Sequence, residues 1–301
     1  MGRARFGYCH DLRLARGAHG RPVRLSNQTD DDFEVIVADD GSDERTRAVV
    51  KAARIPATHV WHQHSGFRAA EIRNQAILAS QGDYCIFLDG DCIPRENYVA
   101  AHRRLAERGH FVMGNRVMLS RKLTQRVLAD NLCPEDWSLL TWWGARLTKR
   151  VNRLAPLLTL PLGSIRRRAK QTWRAAQACN VAMWRSDLDR VDGFDNSFVG
   201  WGWEDNDLIP RLMRAGVRRK MGRFATGVIH LWHEPAYAVR NRRLFDDTLA
   251  DDRVVARRGM SATHGSTITH SKPTSLGTCG DRLAKTLVCD KEDPKTQAAT
   301  G

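Results

Sequence analysis

Two short apolar runs end in the same way, and this repetition restricts the fold more than any other feature of the chain. Phe33-Glu34-Val35-Ile36-Val37-Ala38 leads into Asp39-Asp40-Gly41-Ser42, and Tyr84-Cys85-Ile86-Phe87-Leu88 leads into Asp89-Gly90-Asp91. The first run is β-rich and stops at a turn signal. The second is apolar throughout, the pattern of a strand buried on both faces. Between them lie a helical pattern around Ala48, Val49, Ala52 and Ala53, a short strand at His59-Val60-Trp61, and a helix over 68–80 with Gly82 just past its end. Strand, helix, strand, helix, strand is the rhythm of an α/β fold, a mostly parallel sheet flanked by helices. Ligands of such sheets sit beyond the carboxyl ends of the strands. Both acidic turns fall at that edge, so it gathers Asp39, Asp40, Asp89 and Asp91.

The rest of the chain divides around this unit. Residues 1–32 carry scattered Arg and Gly without apolar period and read as irregular. Residues 33–118 form the α/β half and 119–177 a basic helical insertion. Residues 178–260 resume regular structure, from Asn180-Val181-Ala182-Met183-Trp184 to a last strand near 227–233, and 261–301 read as a loose Ser/Thr-rich tail. In the window between Asp136 and Asp187, which spans most of the insertion, ten cations and no acid are interleaved with Trp142, Trp143 and several leucines. Most of the +14 net charge originates there. That charge implies an anionic partner: nucleic acid, a phosphorylated substrate or an acidic membrane surface. An interfacial segment on an anionic membrane fits the mixture, with charge reversal at Arg166, Arg167 and Arg168 as its test; a solvated insertion packed on the catalytic unit fits it equally.

Seven cysteines at wide spacings with no CxxC argue against a zinc ribbon or redox motif and for free thiols in a reducing compartment. No apolar run is long enough to span a bilayer, and the Arg-rich beginning has no signal-peptide core. The location implied is cytoplasmic, with peripheral contact at the inner face of the cell membrane.

Carboxylates flanking a glycine at a strand end suit a hard divalent cation, Mn²⁺ or Mg²⁺, shared with a substrate diphosphate. Trp201-Gly202-Trp203-Glu204-Asp205-Asn206-Asp207 puts an aromatic platform for a sugar ring beside carboxylates able to serve as a general base. The same acids also suit a helix start. Pro210 lies too deep to be a first-turn proline, which implies a bend or a later start. His230 and His233 each offer an imidazole that would complete the carboxylate site. Arg68 opens a helix where a phosphate is favoured.

These pieces together resemble the family 2 inverting glycosyltransferases, particularly the branch whose C-terminal part looks like the β-1,4-galactosyltransferases. The matching motifs are FEVIVADDGS (33–42), GFRAAEIRN (66–74), YCIFLDGDCIP (84–94), GFDNSFVGWGWEDNDL (193–208) and VIHLWHE (228–234), within roughly residues 30–260. The resemblance implies the GT-A fold, a Rossmann-like sheet. It also implies a nucleotide-sugar donor, most often a UDP-sugar, and a saccharide or lipid-linked acceptor. Asp39 and Asp40 would contact uracil and ribose, and Arg68, Arg73 and Asn74 would fall on the donor side. Asp89 and Asp91 would be the DXD motif, with Asp91 the direct metal ligand and His230 the metal histidine, His233 standing in reserve. Asp205 would be the catalytic base, Glu204 would hold the donor sugar and Trp201 would line the acceptor side.

One departure stands out. Family members begin with an apolar strand and turn about 30 residues before the FEVIV run, and residues 1–29 contain nothing of that kind. The expectation is a truncated or frame-shifted N-terminus, a sheet lacking one buried strand, and an impaired remnant as the alternative to a working enzyme. A nucleotidyltransferase would want a Gly-rich phosphate loop with a lysine, which is absent. A nucleic-acid-binding protein, suggested by charge alone, would want a recognisable binding motif, also absent.

Overall fold

The architecture follows from a computed structural model that describes residues 6–11, 25–51, 56–174, 179–234, 239–263 and 268–269. Strands β1 (Phe6–Asp11), β2 (Phe33–Asp39), β3 (Ala57–Trp61) and β4 (Tyr84–Asp89) alternate with helices α1 (Glu44–Lys51) and α2 (Ala69–Ala79). Next come β5 (Cys92–Ile93), α3 (Tyr98–Leu105), β6 (His110–Met113) and β7 (Arg116–Met118). Helices α4 (Arg121–Ala129) and α5 (Leu139–Leu147) are followed by β8 (Asn180–Trp184), α6 (Arg185–Arg190) and α7 (Glu204–Arg214). Strands β9 (Arg218–Met221) and β10 (Val228–His230), helix α8 (Val239–Ala250) and strand β11 (Ile268–Thr269) complete the described elements.

An eight-stranded sheet runs in the order β11-β3-β2-β1-β4-β8-β6-β9, and a three-stranded sheet in the order β5-β10-β7. Strands β3, β2, β1 and β4 are mutually parallel; β8 joins β4 antiparallel. Alternation along the central strands sends side chains to opposite layers. Ile36, Phe87, Val181 and Met183 pack with Ile72 of α2 and Leu208 and Leu212 of α7. Val35, Val37, Ile86 and Leu88 pack with Tyr98 and Val99 of α3 on the other face.

Three expectations are corrected. The sheet is not short of a strand: Phe6–Asp11, expected to be irregular, pairs in parallel with both β2 and β4 at the centre of the sheet. Its place is set by the unpaired backbone edges of its two neighbours, which need no apolar run to be satisfied. The tail after Ser261 is not wholly loose, because Ile268–Thr269 caps the edge of β3 antiparallel; residues 270–301 lie outside the described residues. Helix α7 starts at Glu204 and continues through Pro210, so the helix does not begin later to avoid the proline. Glu204, Asp205 and Asp207 in its first turn complement the helix dipole.

Residues 119–174 pack on the small sheet. Leu123 and Val127 of α4 and Trp142 and Ala145 of α5 share a core with Val117, Ile229 and Leu231. The contact is backbone-tight at Gly227, where a Cβ would collide with the Pro156 carbonyl oxygen. Glycine is required there for close approach. No described helix is long and apolar enough to cross a membrane.

Candidate active site

Strand register sets the site. Asp11 of β1 lies across from Ala38 on one side and Asp89 on the other, so the two acidic turns emerge at one edge, about 10 Å apart across one strand. At the first turn both carboxylates face inward and are closed by the protein. Asp39 meets His59 Nε2 at 2.9 Å and accepts the Ser42 N–H at 2.8 Å. Asp40 accepts from His62 Nε2 at 2.7 Å and from the Arg68 N–H at 2.9 Å. They are 0% and 1% exposed. Gly41 at φ +82° lets the chain turn against His64, which a Cβ would strike at 2.5 Å.

The second turn is built differently. Strand β10 pairs antiparallel with β5, placing His230 opposite Cys92, and the Leu231 N–H donates to the Asp91 carbonyl at 2.8 Å. This brings Asp91 Oδ2 within 3.3 Å of both His230 Nε2 and His233 Nε2. His230 Nδ1 lies 2.6 Å from the Leu231 carbonyl, an acceptor only, so Nδ1 carries the proton and Nε2 presents a lone pair. His233 Nδ1 has the same relation to the Glu234 carbonyl at 3.1 Å. Two lone pairs therefore converge on a carboxylate. Protonating His230 is not the remedy: burial, reinforced by Arg116, lowers its pKa to about 3. Burial first and Asp89 second push the Asp91 carboxyl well above the usual carboxylate range. A proton on Asp91 can serve only one of the two imidazoles, and two imidazoles with a carboxylate are a ligand set for a divalent cation. Cys92 Sγ also borders the cluster, with its thiol kept protonated by burial.

Asp89 is not in that cluster. Its carboxylate, half-exposed, takes Arg73 Nη2 at 3.1 Å, while Arg73 Nη1 reaches Glu204 Oε1 at 2.9 Å. Arg73 thus joins the cation turn to the start of α7. Burial and the neighbouring Asp205 raise Glu204 to about 7, against the pull of Arg73. Asp205 is half-buried and accepts the Asn206 N–H at 2.8 Å. The loop before α7 is held by Asn241, whose amide donates to the Gly200 and Gly202 carbonyls at 3.1 and 3.0 Å. Trp203 adopts φ +77°, the left-handed region a tryptophan seldom visits, immediately before the two acids. Trp201 is half-buried and meets the His233 ring edge-on with centroids 5.1 Å apart.

Two assigned donor contacts lie elsewhere. Asn74 donates to the Phe194 carbonyl and Asn196 Oδ1 and accepts the Phe194 N–H, clamping α2 to the 193–196 loop while wholly buried. The Arg68 guanidinium pairs with Glu71 one helical turn on, so the residue acts here through its backbone N–H. Sequence reasoning missed His59, His62, Arg116, Cys92 and Asn241. Only the histidines left a signal, the HVWHQH run on the strand beside the acidic turn.

Two family models match in tandem: "Glycosyl transferase family 2" over residues 23–172 and "N-terminal domain of galactosyltransferase" over residues 165–234. Validoxylamine A glucosyltransferase of Streptomyces hygroscopicus subsp. jinggangensis is 30% identical over 219 residues, 68% of this chain and 50% of that protein. Chondroitin synthase of Escherichia coli is 26% identical over 207 residues, 62% of this chain and 28% of that protein. The chain thus spans half or less of the length of these relatives. Among solved structures, S. aureus TarS 1–349 in complex with UDP aligns with a TM-score of 0.56 at 12% identity, covering 86% of this chain and 68% of the other. The parallel sheet with its carboxyl-edge turns is the GT-A fold, and the chain belongs to the family 2 glycosyltransferases.

Proposed function

We propose that the chain moves a sugar from a nucleotide-sugar, a UDP-sugar, to a hydroxyl of a saccharide or lipid-linked acceptor, with inversion at the anomeric carbon and dependence on a divalent metal. The observation that carries this reading is one convergence. Two imidazole Nε2 lone pairs and the Asp91 carboxyl group converge at the sheet edge, and Arg73 ties the turn that bears them to the Glu204–Asp205 pair. The structurally similar TarS fragment binds UDP, which supports the donor class.

Asp91, His230 and His233 would hold the cation, and their mixed nitrogen and oxygen set suits Mn²⁺ better than Mg²⁺, which prefers oxygen alone. Bound there, the ion supplies Lewis-acid stabilisation to a departing diphosphate. The remaining work falls to the chain's own groups. Glu204, raised to about 7 by burial and by Asp205, holds or sheds a proton near neutrality. Asp205, in the first turn of α7, takes the proton of the acceptor hydroxyl as that oxygen attacks. Arg73 fixes Glu204 and Asp89 with one planar group, holding both loops to a single geometry. Trp201 offers a flat apolar face beside the base for a sugar ring.

The test is a melting-temperature screen of UDP- and GDP-linked sugars with and without Mn²⁺. A donor that binds the folded state raises the midpoint. A metal-dependent rise with a UDP-sugar is expected; no such rise with any donor removes the reading.

A further inference from the structure

Helix α5 carries two apolar faces, and only one is covered. Trp142 and Ala145 pack into the core with α4 and the small sheet. Leu139, Leu140, Trp143 and Leu147 face outward at 69%, 84%, 57% and 75% exposure. At 3.6 residues per turn these four share an arc of about 100°, the width of a stripe that ordinarily faces a protein core. Four exposed cations, Arg146, Lys149, Arg150 and Arg153, lie in the helix's last turn and just beyond it. None makes an ion pair with a described residue, and no acid occurs between Asp136 and Asp187. The Arg166–Arg168 cluster singled out in the sequence does not belong to this surface. Arg166 is buried and donates to the Leu160, Met221, Arg223 and Phe224 carbonyls, and Arg167 pairs with Glu107.

We propose that the outer face of α5 docks on an anionic lipid bilayer, with Leu139, Leu140, Trp143 and Leu147 entering the headgroup boundary and the four cations meeting lipid phosphates. Charge complementarity selects this occupant. In a symmetric contact with a second copy, the same unpaired cations would be set against themselves. A nucleic-acid backbone would satisfy the cations and leave the leucine stripe in water. A bilayer with anionic headgroups meets both needs, since apolar area and basic charge add in interfacial binding. Docking would also orient the catalytic edge. Helix α4 shares the α5 core, and Thr124 Oγ1 accepts the Trp232 N–H at 2.8 Å, between the two histidines of the cation cluster.

The experiment is vesicle co-sedimentation of the full chain, using phosphatidylcholine alone and phosphatidylcholine with about one-third phosphatidylglycerol. Strong binding to the anionic vesicles only, weakened by salt, is expected. Leu140→Ser/Trp143→Ser/Leu147→Ser and Arg146→Glu/Lys149→Glu should each lower it about tenfold or more. Arg167→Glu, away from the face, should lower it far less. Leu140→Glu, a single change at the most exposed position, guards against a folding defect in the triple variant, with the melting midpoint as control. Equal binding to both vesicle types, or variants that bind like the wild type, would overturn the proposal. So would a solution dimer, seen by sedimentation velocity, that the α5 substitutions dissolve.

Discussion

The two acidic turns occupy the same edge of the same sheet, yet their histidines face them in opposite senses. At Asp40, His62 offers its Nε2–H to the carboxylate while its Nδ1 has no partner. At Asp91, His230 gives its proton to a backbone carbonyl and offers the carboxylate a lone pair. In the first arrangement both carboxylates have donors from the protein, and only His62 Nδ1 is left without a partner. In the second, a proton on Asp91 could serve only one of the two imidazoles, whereas a cation serves both. A carboxylate and an imidazole at hydrogen-bond distance therefore say little about function until the other ring nitrogen is followed to its partner.

The contrast can be broken most sharply at the chemistry. Asp205→Asn should lower the transfer rate by about 10²–10⁴-fold, the usual worth of a general base, while leaving donor affinity unchanged. Steady-state kinetics beside calorimetric titration of the donor checks both halves. Next in size is the metal response. Mn²⁺ at a hundred times its dissociation constant should add about 2.7 kcal/mol of stability, seen as a rise in melting temperature of several degrees. His230→Ala or Asp91→Ala should abolish that rise, and His62→Ala should keep it. If the His62 variant also loses the response, the two turns do not differ as described.

His62→Ala should nonetheless cost about 1–3 kcal/mol in urea unfolding, because it leaves a buried carboxylate short of a donor. The smallest effect concerns His102, a buried histidine bonded to Asn180. Burial lowers its pKa to about 4. The unfolded chain takes up this proton first, near pH 6.5, so stability is full above that value and falls as pH drops from there toward 4. The loss should reach about 1 kcal/mol by pH 6. His102→Gln should flatten the decline, read as the urea midpoint at pH 7.5 and 6.

Much of this was legible in the residues. Asp89-Gly90-Asp91 and Gly202-Trp203-Glu204-Asp205 set acids and glycines together at element ends, and the rhythm from Phe33 to Leu88 dictates parallel pairing. The rest depends on through-space partners that no local pattern encodes. Phe6–Asp11 lacks an apolar run because its position comes from two backbone edges supplied by distant strands. Asn74 sits in a motif with Arg68 and Arg73, but its amide answers a loop 120 residues away. Asp89 and Asp91, two apart on one turn, diverge toward different partners once the chain folds. Arg166 looks like its neighbours in sequence and is buried because four carbonyls, of Leu160, Met221, Arg223 and Phe224, gather around it.

The missing Cβ at Gly227 has a consequence for how this enzyme can be altered. With the Pro156 carbonyl pressed against that backbone, one residue before β10, the 119–174 segment and the strand bearing His230 were shaped as a single casting. Trimming the segment to make a minimal unit, or grafting it onto a sister fold, would strip the support from behind His230 and His233.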